Sequence, residues 1–174
     1  MKKLITLFLA LLMLVCALTA CGETETEEPR PQQSTVANPL VESDAEGVQQ
    51  TLGFALTVPE NAENVLYFIL SGDTEELHFT LNGLDYVARL KATAEFEDIS
   101  GMYYEWTDTL DGTIESCQCK QMRYCGDEGD VDVCLWYDAV PGLMYSLSTG
   151  DSSLDGFDIT AAAMQVYSPI PGNN

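Results

Sequence analysis

Leu81-Asn82-Gly83-Leu84 constrains the fold of this chain more than any other stretch. Asn-Gly between two runs of alternating polarity is the composition of a type I′ turn, whose two central residues both take positive φ. A two-residue loop fixes every pairing outward from itself. Leu81 then meets Leu84, Phe79 meets Tyr86 and Leu77 meets Ala88 on one face, while Thr80 meets Asp85, His78 meets Val87 and Glu76 meets Arg89 on the other. The first face is apolar. The second is mainly polar and carries an opposite-charge pair. A slip of one residue would mix the two, so the pattern predicts strands over 75–81 and 84–92 in this register.

The surrounding segments extend the hairpin into an α+β domain over 40–170, an antiparallel meander of about six strands with an N-terminal and a C-terminal helix packed on it. Ser43-Asp44-Ala45-Glu46 reads as a capping box with Ser43 as N-cap, Val48 and Leu52 supply an apolar stripe, and Gly53 stands where a helix ends. Phe54, Leu56 and Val58 alternate as a short strand up to Pro59, and 65–70 is a β-rich apolar run. Met102 to Trp106 reads as a strand, 108–112 as a turn-rich break, and 114–125 with 131–137 as a second hairpin around Gly126-Asp127-Glu128-Gly129. Phe96 and Ile99 read as loop anchors. Leu143 to Ser148 is a further strand, and Ile159, Ala162, Ala163, Val166 and Tyr167 recur at helical spacing, with Asp155 or Asp158 near the start.

The first forty residues are of another kind. Lys2-Lys3, an apolar run from Leu4 to Val15 and Leu18-Thr19-Ala20-Cys21 form an export signal that ends on a cysteine. The run is too short for a membrane-spanning helix. Leu-Thr-Ala-Cys resembles the lipobox of bacterial lipoproteins, which implies that residues 1–20 are removed and that Cys21 is diacylated and becomes the first residue of the mature chain. Two or more acyl chains hold a protein stably at a membrane. Residues 22–39, acidic and then Pro- and Gln-rich, have no apolar period and read as a tether of about 25 Å; residues 171–174 are a tail. The expected location is the extracytoplasmic face of the membrane.

Charge narrows the partners. The chain holds 28 acidic and 7 basic residues, a net of −21, and loss of Lys2 and Lys3 leaves 28 against 5, or −23. Such a surface repels nucleic acid and anionic head groups. It admits cationic partners or divalent cations, and the partner expected is an unidentified protein or small-molecule ligand.

The order of elements, with the segments Gly53-Phe54 to Val58-Pro59 and Gly101-Met102-Tyr103-Tyr104-Glu105-Trp106, resembles a domain-of-unknown-function family of Gram-positive lipoproteins and anti-sigma-factor-like membrane proteins. The resemblance implies an extracytoplasmic sensing or binding role. It assigns no catalytic residue.

The residues that could carry chemistry are few. His78 is the one histidine, on the polar face of the hairpin, and no local pattern makes it part of a nucleophilic site. Asp127, Asp130 and Asp132 form an acidic turn that could offer oxygens to a hard cation, but not at a calcium-loop spacing, and Asp132 is expected to project toward Arg123. Tyr103, Tyr104, Trp106, Trp136 and Tyr137 are candidates for a binding platform, against the plainer reading that they fill the core.

Cys117, Cys119, Cys125 and Cys134 share one strand face, with Gln121, Arg123, Asp132 and Trp136, and that face reads as the less buried one. With a loop at Gly126-Asp127, Cys134 opposes Cys119; with Asp127-Glu128 it opposes Gln121. Disulfides rank first for an exported chain, with Cys119–Cys134 the favoured pair, then free thiols, then a metal. No cofactor is implied. The reading that results is a lipid-anchored, non-catalytic domain that binds or senses a ligand or partner. The alternatives are an envelope hydrolase using clustered carboxylates and a lipid or lipoprotein carrier with an apolar pocket.

Overall fold

The computed structural model describes residues 39–127, 129–150 and 159–169. The lipobox with Cys21, the tether, Glu128, Asp155, Asp158 and the tail lie outside the described residues. Eight strands form one antiparallel sheet: β1 (Leu40–Ser43), β2 (Glu63–Leu70), β3 (Thr74–Leu81), β4 (Leu84–Ala92), β5 (Asp108–Ile114), β6 (Cys117–Gly126), β7 (Gly129–Asp138) and β8 (Leu143–Thr149). Two helices, α1 (Ala45–Leu52) and α2 (Ile159–Val166), complete the α+β architecture. The spatial order is β1-β2-β3-β4-β8-β7-β6-β5. The sheet is therefore two four-stranded meanders joined through their last strands, β4 and β8.

The β3–β4 hairpin has the register that its sequence dictates, from Leu81 opposite Leu84 to Glu76 opposite Arg89. Asn82 and Gly83 both sit at positive φ, 55° and 82°, as a type I′ turn requires. The second hairpin is closed by the Gly126–Gly129 pair, so Cys134 faces Gln121 and Cys119 faces Trp136.

Elsewhere the structure departs from the sequence reading. Among the described residues there are eight strands, not about six. β1 pairs with β2, which places Ser43 in a strand; Asp44 caps α1 instead, its carboxylate accepting from Gly47 N at 2.7 Å. Gly53 closes that helix at φ 79°. The segment 54–59, expected as a short strand, joins no ladder. Leu56 N donates to the Glu75 carboxylate at 2.7 Å and Thr57 N to the Val166 carbonyl at 3.1 Å. Residues 102–106 are loop, and 108–114 is the edge strand β5, so strand and break are the reverse of the expectation. Ile114 belongs to β5.

Helix α1 packs on β2 and β3, and α2 on β5, β7 and β8. The larger core cluster joins Leu77, Phe79, Leu90, Tyr145, Leu147 and Trp136 to Ile159, Ala162, Ala163 and Val166 of α2. A smaller cluster on the opposite face holds Met122, Val133, Leu135 and Met144 under Ile99, Met102 and Trp106 of the 93–107 loop. The second meander is thus covered on both faces, and Cys117, Cys119, Cys134 and Trp136 lie on the face covered by α2. That corrects the expectation that this face is the less buried one.

Candidate functional site

The first meander leaves one face partly open, and the residues that line it are those of the hairpin's polar face. His78, Thr80, Val87 and Asp85 from β3 and β4 join Ser148 of β8, Asn64 of β2 and Met102 of the loop around a groove of about 470 Å³. Local sequence explains how each side chain is aimed. The register of β2 on β3 slips between Glu63 and Leu66, where Asn64 takes φ 52°. Such a bulge re-aims a side chain, and the Asn64 amide donates to Thr80 Oγ1 at 3.2 Å. Thr80 in turn donates to Asp85 Oδ1 at 2.6 Å, the two standing directly opposite across the hairpin. The rim is therefore a hydrogen-bonded row of amide, hydroxyl and carboxylate.

Behind the groove, Glu76 is buried and holds two partners. Its carboxylate contacts His78 Nε2 at 2.7 Å and accepts from Arg89 Nε at 2.7 Å. Arg89 also donates through Nη1 to the Ile99 carbonyl at 3.0 Å. Gly101 passes so close to the guanidinium that any Cβ there would overlap it, and its φ of 71° suits glycine. The opposite-charge pair legible in the hairpin thus pins the loop that walls the groove. His78 stands about a third exposed, its ring 5.0 Å from Phe68. Glu76 fixes one of its nitrogens.

Next to the wall residue Met102 lies an aromatic shelf. Tyr103 is 95% exposed. Tyr104 stacks on Tyr124 at 4.6 Å and meets Trp106 edge-on at 5.8 Å. Trp136 is not part of it. It is wholly buried, stacked on Tyr145 at 5.0 Å, and presents no face to a partner. Its position on the face covered by α2 accounts for this. Tyr137 is half-buried, and its hydroxyl donates to the Thr93 carbonyl at 3.3 Å.

The acidic turn does not converge. Asp132 is buried and takes a two-pronged contact from Arg123, both bonds at 2.7 Å, as its expected proximity implied. Asp127 is exposed at the loop. Among the described residues no group of three or more His, Cys, Asp or Glu could hold a metal ion. The four described cysteines are free thiols, not the expected disulfide, because Cys119 faces Trp136 and Cys134 faces Gln121. Cys117 lies 3.5 Å from the Tyr167 hydroxyl, which donates to Asp138 at 2.7 Å, and Cys125 is exposed at the hairpin end.

One residue with unusual chemistry was not singled out by the sequence reading. Glu75 is fully buried, one oxygen accepting from Leu56 N and the other without a hydrogen-bond partner. Burial pushes its carboxyl up to about 7, against the lowering effect of the Leu56 bond. The hairpin register already contained the signal, since it puts Glu75 on the face of Leu77, Phe79 and Leu81, opposite Leu90. Compared with known proteins, the chain matches no family model, no curated protein and no solved structure.

Proposed function

We propose that the domain is a non-catalytic binding module, held on the extracytoplasmic face of the membrane by lipid on Cys21, and that the groove takes a neutral, hydroxyl-rich ligand. The observation that carries this reading is the groove's own chemistry. Asn64, Thr80, Asp85, His78 and Ser148 supply donors and acceptors, Val87 and Met102 supply an apolar surface, and Tyr103 and Tyr104 follow Met102 in the loop. A few placed polar groups on an apolar floor are what fix a small ligand. Aromatic faces beside them suit the apolar faces of a sugar ring. The strongly acidic surface disfavours anions.

The hydrolase alternative asks for a carboxyl of raised pKa in the groove. Glu75 has the raised pKa, but it sits in the core under Leu56 and does not line the groove. Anchoring rests on the residues from Lys2 to Cys21, and the sensing role on the two segments quoted for the family resemblance. The test is amide chemical-shift mapping of the protein with the trisaccharide of N-acetylglucosamine as probe. Shifts should cluster on Asn64, His78, Thr80, Val87 and Ser148. No shifts, or shifts confined to α1 and α2, would refute the reading.

A further inference from the structure

Cys119 and Cys134 stand apart from the other two described cysteines. Their positions on β6 and β7 are diagonal neighbours on one face of the sheet, Cys119 being paired with Trp136 and Cys134 with Gln121. Cys117 is turned to Tyr167, and Cys125 is at the far end of the hairpin opposite Asp130. Across the other edge of β6, the residue facing Cys119 is Gly112 of the edge strand β5. A Cβ at that position would stand 3.3 Å from Cys119 Sγ. Gly112 and Cys119 both line a depression of about 450 Å³, together with Asp111, Thr113 and Gln118. Cys119, 3% exposed, lines that depression, whereas Cys134 is completely buried and does not, with Leu147 opposite on β8.

We propose that Cys119 and Cys134 form a redox-active dithiol, Cys119 meeting a hydroperoxide through the Gly112 gap and Cys134 resolving it. The chemistry separates the two roles. The neighbouring Cys134 thiol holds Cys119 below the ordinary thiol range, while the Cys119 thiol and burial push Cys134 up. Thiolate character and access select the sulfur that is oxidised. In the first step the Cys119 sulfur attacks one peroxide oxygen, the O–O bond breaks, and the remaining oxygen leaves as an alcohol or water after taking a proton. Cys119 is then a sulfenic acid. In the second, the Cys134 sulfur attacks the Cys119 sulfur, the S–O bond breaks, and the oxygen leaves as water with the Cys134 proton. Two thiols and one hydroperoxide thus give one disulfide, one alcohol or water, and one water.

Diagonal positions in a sheet lie roughly 7–8 Å apart at Cα, beyond the usual span of bridged cysteines. Closure must therefore draw β6 toward β7, and the bridge formed is strained and readily reduced. A reversible bridge is the consequence, not a permanent staple. The inference is independent of the groove, which lies on the other face of the sheet.

The test uses the full chain, reduced and then treated with hydrogen peroxide, alkylated, and mapped by digestion and fragmentation. Wild type should yield one link, between Cys119 and Cys134, that opens in mild dithiothreitol, with Cys117 and Cys125 alkylated. Cys134→Ser should accumulate a dimedone-reactive sulfenic acid on Cys119. Gly112→Ala keeps both thiols but covers Cys119, and should slow bridge formation roughly tenfold. It keeps the test decisive if Cys134→Ser does not fold. Cys119 and Cys134 both alkylated in peroxide-treated wild type, a link to Cys117 or Cys125, or an unchanged rate in Gly112→Ala would overturn the proposal.

Discussion

The two meanders use the same strand chemistry under different cover. In β4, buried and part-exposed positions alternate along almost the whole strand, because one face packs on the core and the other lines the groove. In β8 all seven residues are buried, because α2 covers one face and the 93–107 loop the other. Alternation is the signature of a half-covered sheet, and continuous burial that of a doubly covered one. The comparison separates roles as well as packing. The half with an open face carries the hydrogen-bonding groove, while the half covered on both sides holds the larger buried aromatics and the thiol pair.

The greatest loss should come from the doubly covered half. Trp136→Ala removes a side chain stacked on Tyr145 and edge-on to Tyr167 at 6.4 Å. Truncation of a buried aromatic costs about 3–5 kcal/mol, read as a shift in the denaturant midpoint. A cost below about 1 kcal/mol would show that the second meander is loosely packed and break the contrast between the halves.

Glu75 gives the next effect, and a sign. Its folded pKa of about 7 lies above the ordinary value of 4.5. Below 4.5 both folded and unfolded states hold the proton. Between 4.5 and 7 the unfolded chain releases it while the folded chain keeps it, so stability falls as pH rises through that window and levels off above it. The total loss is about 3 kcal/mol. Glu75→Gln should flatten that part of the pH dependence and be the more stable protein at pH 8. Equal slopes for wild type and variant between pH 4.5 and 7 would show that Glu75 ionises normally.

Gly83→Val comes third. Gly83 has open space around it, so the cost is that of forcing a β-branched residue to φ 82°. It should exceed about 1 kcal/mol, and an unchanged melting temperature would place the turn elsewhere. Tyr103→Ala is the smallest. The residue is 95% exposed, so stability should move by less than about 0.5 kcal/mol while affinity for the trisaccharide drops. Loss of stability would make the shelf a packing element.

The difference between the halves also explains what the sequence disclosed. The β3–β4 register was legible in full, because Asn82-Gly83 fixes the loop and a half-covered face writes its alternation into the residues. β6 to β8 were legible as strands, but not as to which face is covered, since cover comes from α2 and the 93–107 loop, remote in sequence. β5 was missed because Asp108, Thr109, Leu110 and Asp111 are exposed on an edge strand and carry turn-like chemistry. The capping residue shifted from Ser43 to Asp44 because Ser43 pairs with Tyr67 in β1–β2. Within the groove, His78, Thr80, Asp85 and Val87 follow from the hairpin alone. Asn64 does not, since its place depends on a bulge, and neither does Ser148, since it depends on β8 crossing to β4.

The most direct measurement of the binding claim uses the one histidine of the chain. His78 lines the groove and is about a third exposed, so diethyl pyrocarbonate should acylate it in the free protein. With the trisaccharide of N-acetylglucosamine present at saturation, the rate of acylation at His78 should fall severalfold, while alkylation of the exposed Cys125 proceeds unchanged. An unchanged rate at His78 would contradict the account.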